Sequence, residues 1–396
     1  MKHNIVLRYI ALFIISTLLV GCNATLANAY PPPEGEFKYG RDLTDTDGDG
    51  LPDEWETHGF TTPDDTEFPL HLWGADPNRP DIFLEVHWMH PNGTTSYRPH
   101  KDTFNQLVNL FAKHDIALHI DAGEYYTNIE NFAKPQGGEN IEYKPYLAAH
   151  QHDMPSAFDE LNTLRANRTG VFRTAGYVGA IYSDEGHTGV ALSQLDAFFV
   201  GKTDKTSERF IRNTTLHELG HTLGLTHNGP ISDSVPDQTK GIFYPEHKSV
   251  MNYLYQYTTF DYTDHNIHST GSIKPLACLA QSIRCFNSEY TVNSEWDNLN
   301  IKGSTIGNIN GRPGVSQDAI NAAYNAPKRD TASDPYGWSE NSSKAGMTIT
   351  IIYAVLTIAA IFNTIGLYNF LNTHTSEEIG NMVSRTMTDR IPHDLQ

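Results

Sequence analysis

The sequence predicts an α+β (mixed α/β) fold: a twisted mixed sheet backed by helices, then a loop-rich C-terminal subdomain, then one transmembrane helix. Three observations carry this. From about residue 75 to 225, segments with apolar period two alternate with segments of period near 3.6, the signature of strands and helices taken in turn. Residues 258–294 lose that periodicity. Residues 347–371 contain no charged side chain, a run long enough to cross a bilayer as a helix.

The first elements concern export and a cation. At 396 residues and 39% hydrophobic content the chain can bury a large core, and its formal net charge of −19 speaks against nucleic acid as a partner. Residues 1–29 read as an export signal, with Lys2 and Arg8 ahead of a short apolar core at 10–20. Leu19-Val20-Gly21-Cys22 has the form of a bacterial lipobox, which makes Cys22 a lipidation candidate, while Ala27-Asn28-Ala29 offers a rival cleavage site. Residues 30–44, with Pro31-Pro32-Pro33, form a stiff spacer. Residues 45–60 then carry an EF-hand-type pattern that predicts bound Ca2+ in a structural role. Asp45, Asp47 and Asp49 take positions one, three and five, and Gly50 the sharp turn. Leu51 offers its carbonyl at seven, with Asp53 at nine and Glu56 at twelve.

Residues 61–326 form the main domain. The pattern predicts strands at 81–88, 116–120 and 171–182, and helices at 99–114, 155–167 and 206–225. In the 99–114 helix, Phe104, Leu107, Val108 and Phe111 share one face.

The chemistry sits at the end of the last helix. His217-Glu218-Leu219-Gly220-His221 places two imidazoles four residues apart, on one helical face, where both can reach one metal ion. Glu218 projects toward the open coordination position, where a carboxylate can take the proton of a water. Gly224 permits a positive φ that ends the helix and turns the chain back, so His227 can supply the third ligand. Three protein ligands leave one position for water and predict a hydrolytic Zn2+ site.

These residues, with Ser249-Val250-Met251-Asn252-Tyr253 downstream, resemble the metzincin zinc endopeptidases. Segments 81–89, 118–123 and 196–201 look like strands of the bacterial branch related to the pappalysins and snapalysins, and the similarity covers about residues 74–300. The resemblance implies His217, His221 and His227 as zinc ligands, Glu218 as general base and acid, and Met251 as the Met-turn residue under the histidines. Tyr253 stands either as an extra ligand that later stabilises the oxyanion or as a packed tyrosine. By the same analogy, residues 187–193 form the edge strand above the cleft, where an extended substrate adds as a further strand.

Cys278 and Cys285 predict a local disulfide in an oxidising compartment. The pairs His87/His90 and His150/His152 lack a complete ligand set and read as structural. Residues 327–346 are a polar linker, 347–371 the membrane helix and 372–396 the tail, which the export signal places inside. The expected whole is an exported, membrane-anchored zinc endopeptidase acting on proteins or peptides, its catalytic domain extracytoplasmic. A single helical span suits a cytoplasmic membrane better than an outer membrane of barrels, and Asn23 leaves both open. The oligomeric state is not legible. The competing reading is a catalytically silent calcium-binding adhesion or scaffold protein on the same fold, which needs a lesion that this motif does not contain.

Overall fold

A computed structural model describes residues 44–307, except 63–64, 150–152, 184–187, 204–205, 231–241, 273–277 and 279–283. The signal and Cys22, most of the spacer, the linker, the predicted span at 347–371, the tail and the His150/His152 pair therefore lie outside the described residues. Among the described residues, no helix is long and apolar enough to cross a membrane.

The centre is a seven-stranded sheet. Its strands are β1 (Asp81–Met89), β2 (Ala117–Ala122), β3 (Tyr126–Thr127), β4 (Gly138–Ile141), β5 (Phe172–Val178), β6 (Gly189–Leu192) and β7 (Ala197–Gly201). The order is β3-β2-β1-β5-β7-β6, with β4 pairing the far end of β1 beyond β2. β1 runs parallel to β2, β4 and β5, and β5 runs parallel to β7; β3 and β6 are antiparallel. Parallel strands need crossovers and cover on both faces, and all nine residues of β1 are buried.

Besides a four-residue helix at Leu70–Trp73, the helices among the described residues are α1 (Asp53–His58), α2 (Lys101–Ala112), α3 (Met154–Arg165) and α4 (Glu208–Thr222). Alternation along β1 sends Ile82, Leu84, Val86 and Trp88 into the larger core, beside Phe104, Leu107 and Phe111 of α2 and Ile211, Leu216 and Leu219 of α4. The Tyr177 hydroxyl of β5 meets Thr215 Oγ1 of α4 at 2.9 Å, pinning that helix to the sheet. Phe83 points the other way, into a second core with Leu51, Trp55, Phe60, Phe68, Trp73 and Phe172. Its rings stack closely, with Trp55 and Phe60 centroids 4.2 Å apart and Phe60 and Phe68 4.9 Å apart. Truncating one such Phe to Ala costs about 3–5 kcal/mol. Through these contacts the 45–60 segment shares a core with the sheet.

The predicted elements appear with shifted ends. The expected helix at 206–225 spans Glu208–Thr222, because Ser207 caps it by accepting from Phe210 N and Leu223 leaves helical geometry. The expected strand at 171–182 stops at Val178, and the 155–167 helix shifts to Met154–Arg165, where Ala166 takes a positive φ of 46°. The predicted edge strand is β6, antiparallel to β7, with His187 outside the described residues. Among the described residues, the C-terminal region adds short pairings, including Ile267–Ser269 with Tyr290–Val292. Cys278 and Cys285 form a disulfide with Cα atoms 5.6 Å apart.

The end of the described chain folds back over the starts of β5 and β7. Asn300 N donates to Leu223 O just past α4, and Asp196 accepts from the N–H groups of Ser304 and Thr305. His87 is structural, as expected: its Nε2 lies 2.6 Å from Glu85 Oε1. Arg168 bridges Glu85 and Asp121 at 2.7 Å each, so these buried charges compensate one another.

Candidate metal centre

The last two turns of α4 carry His217, Glu218 and His221, all buried. Gly224 follows with φ of 82°, a conformation a side chain would strain, and the chain reverses. Leu225 and Thr226 then pair with Pro230 and Gly229, a tight hairpin that holds His227 at its tip. His221 Nε2 lies 3.2 Å from His217 Nε2 and 3.1 Å from His227 Nε2. A tetrahedral site with zinc–nitrogen distances of about 2.0–2.1 Å needs ligand atoms about 3.3 Å apart, close to these values.

The far side of each helical ring fixes its tautomer. His217 Nδ1 donates to Val250 O and His221 Nδ1 to Leu225 O, both at 2.9 Å. That leaves the Nε2 lone pairs of both rings turned toward one point, an arrangement that fits a metal and is repulsive without one. Burial reinforces the neutral ligand form: it pushes His221 down to about 4, and His217 and His227 well below the usual imidazole range. Burial also raises the Glu218 carboxyl well above its ordinary value, which favours a group that accepts and returns a proton.

The floor and one wall come from the loop after the hairpin. Met251 is fully buried beneath α4, where a Cβ on Gly220 would lie 2.6 Å from its sulfur. The turn that presents it is pinned by Ser249 Oγ, which accepts from Met251 N, and by Asn252, which donates to Tyr244 O and His247 O. The Tyr253 ring lies against the triad, with centroids 4.2 Å from His227 and 5.4 Å from His217. Sequence reasoning missed Gly189 on the edge strand. A Cβ there would sit 2.3 Å from Glu218 Oε1, so only glycine leaves the carboxylate its place. The signal was a glycine at the start of an edge strand, readable only once the strand was known to cross Glu218.

The acidic loop assembles separately. Among the described residues, Asp45, Asp47 and Asp49 form one carboxylate group with donor atoms mutually within 4.8 Å; Asp49, Glu56 and Asp81 form another. Asp45 accepts from Gly48 N and Gly50 N, and Asp49 from Leu51 N, the turn bonds that aim a cation loop inward. Asp53 spends its carboxylate on Thr46 N and Oγ1, as suits a position nine that reaches an ion through water. Burial, then neighbouring carboxylates, push Asp49 up to about 8 and Glu56 to about 9; Asp47 rises to about 6, again mainly by burial. Among the described residues, both Glu56 oxygens are buried without a hydrogen-bond partner, the condition a cation would relieve.

No curated protein and no solved structure matches the chain. Residues 200–271 match the protein family described as Met-zincin, and this stretch holds the α4 motif, the Gly224 turn, the His227 hairpin, Met251 and Tyr253. The match supports a metzincin-type family, implies zinc at the histidine triad, and points to a zinc metalloprotease.

Proposed function

We propose that the protein is an exported, membrane-anchored zinc endopeptidase that hydrolyses peptide bonds of protein or peptide substrates. The observation that carries this reading is the convergence of three imidazole Nε2 atoms, 3.1 and 3.2 Å apart, beside the buried Glu218 carboxyl. His217, His221 and His227 hold the ion. Zinc bound there supplies Lewis-acid activation of a water molecule and of the scissile carbonyl.

Glu218 takes the proton of the attacking water on its carboxylate and hands it to the leaving amine, so no covalent intermediate with the protein is needed. Its raised affinity for protons matches this shuttle. Gly189 keeps its place clear. The Tyr253 hydroxyl is proposed to steady the oxyanion, supported by the packing of its ring on His227 and His217. Strand β6 pairs only with β7 among the described residues, and an extended peptide lying along it would gain main-chain hydrogen bonds and pass over Glu218. The Ca2+ at residues 45–56 is proposed as structural, supported by the orphaned Glu56 carboxylate. Anchoring rests on the uncharged run 347–371 and on Cys22, which sequence alone supports.

Cleavage profiling of a proteome-derived peptide library with the purified full-length chain, beside Glu218→Ala, tests the reading. Wild type should yield new peptide termini that are absent with the variant. Identical termini in both preparations would overturn it.

A further inference from the structure

The calcium pattern of residues 45–56 is self-contained in sequence, but its buried end is not. Asp49 takes part in both carboxylate groups, and the second includes Asp81, 25 residues past the pattern at the first position of β1. Asp49, Glu56 and Asp81 are 0%, 1% and 2% exposed, so three carboxylates meet where water cannot screen them. Buried charges of one sign need compensation. The cationic partners within reach are partial: Arg79 Nη2 lies 3.2 Å from Asp81 Oδ1 with its side chain 36% exposed, and the buried Arg173, which interacts electrostatically with Asp49, is shared with Asp196.

The hydrogen bonds leave room for an ion. Asp81 Oδ1 also meets His119 Nε2 at 2.5 Å, and Oδ2 accepts from Asp76 N at 2.9 Å. The Asp81 N–H donates to Asp49 Oδ2 at 2.8 Å, which locks the strand start against the loop. A carboxylate has about four lone-pair sites, so the single donor on Oδ2 leaves acceptor capacity there. Glu56, at position twelve, contributes two oxygens with no hydrogen-bond partner among the described residues. In loops of this pattern, positions one, three, five and twelve bind one ion, and Ca2+ accepts six to eight oxygens in flexible geometry. An ion drawn by Asp49 and Glu56 is therefore also faced by Asp81.

We infer that Asp81 is a ligand of the Ca2+ site, supplied from outside the loop, so that the ion staples residues 45–56 to the first residue of the central strand. This rests on the calcium reading of the loop and extends it. The His119 contact orients the Asp81 carboxylate, as outer partners orient metal ligands elsewhere. The consequence is a change of role: the ion closes the junction between the N-terminal segment and the sheet, next to the Trp55–Phe60–Phe68–Phe83 aromatic core.

The test uses the purified full-length chain with Ca2+, and with Tb3+ as a luminescent substitute whose decay in H2O and D2O counts inner-sphere waters. Asp81→Asn should weaken Ca2+ binding by about tenfold or more and admit about one additional water to bound Tb3+, because one anionic ligand is lost. Asp53→Asn should leave the water count unchanged. Unchanged affinity and water count in Asp81→Asn, with wild type binding normally, would overturn the inference. Failure of the wild type to bind either ion would instead overturn the calcium reading itself. Should Asp81→Asn not fold, Asp81→Glu keeps the charge but displaces the oxygens; the inference expects weaker binding there too, and wild-type affinity would contradict it.

Discussion

The histidine triad and the acidic cluster are both dense sets of metal-ligand side chains, yet they are built in opposite ways. The triad spans eleven residues of one helix, one turn and one hairpin, and its donors are neutral imidazoles held in the ligand form by burial. The acidic cluster joins a loop to a strand 25 residues later, and its donors are buried carboxylates that repel one another. The first site has no redundancy, since three ligands are the minimum for a catalytic zinc site. The second has several carboxylates, of which Asp49 belongs to both groups and so matters most. The contrast yields four expectations.

The largest effect belongs to the triad. His221 is the ring whose Nε2 is within 3.2 Å of both others, so His221→Ala should lose bound zinc and all measurable turnover, read by metal analysis and peptide cleavage. No single carboxylate of the acidic cluster should cost bound zinc or turnover so completely. Next comes Gly189→Ala. Its Cβ would displace Glu218, and misplacing a proton carrier by about 1 Å can cost about 10²-fold in rate. Zinc content should stay at the wild-type level, which separates this variant from His221→Ala.

The acidic cluster should answer to pH as well as to metal. Without calcium, Asp49 and Glu56 are pushed up to about 8 and about 9 in the folded chain, above their unfolded values of 3.8 and 4.5. The folded state then holds protons that the unfolded state releases. The stability of the metal-free protein is therefore fully present below about pH 4 and falls as pH rises toward about 9, as far as these two groups are concerned. Calcium binds the ionised carboxylates, so its stabilisation should grow across the same window. At about 100 times its dissociation constant it contributes about 2.7 kcal/mol. Thermal unfolding at pH 5 and pH 8, with and without Ca2+, checks this, and Asp49→Ala should abolish the gain.

The smallest effect is expected from Tyr253→Phe. Loss of an oxyanion donor that acts beside a metal should lower kcat by about tenfold and leave KM unchanged. A fall in protein stability with unchanged kcat would assign the tyrosine to packing alone.

What was legible in the sequence follows the same division. The triad, Glu218 and Gly224 were readable because their placement depends on helical spacing and one turn, which are local properties, whereas Met251 was legible only through the metzincin resemblance. Strands β1, β2 and β5 and helices α2, α3 and α4 were readable through periodicity, with the ends of α4 and α3 set by the Ser207 cap and the positive φ of Ala166. Gly189 and Asp81 were not readable. Each meets a candidate-site carboxylate only because the fold brings a distant strand to it, and no spacing in the chain records that. The same holds for the shared aromatic core, which merges the 45–60 segment with the sheet although the sequence reads them as successive units.

The central claim is zinc-dependent hydrolysis with Glu218 as proton carrier, and paired metal analysis and peptide cleavage on wild type and Glu218→Gln test it most directly. Wild type should carry about one zinc per chain, lose cleavage to a chelator and regain it with zinc. Glu218→Gln should keep its zinc while cleavage falls by about 10²–10⁴-fold. Cleavage that survives removal of the metal, or that persists undiminished in Glu218→Gln, would contradict the account.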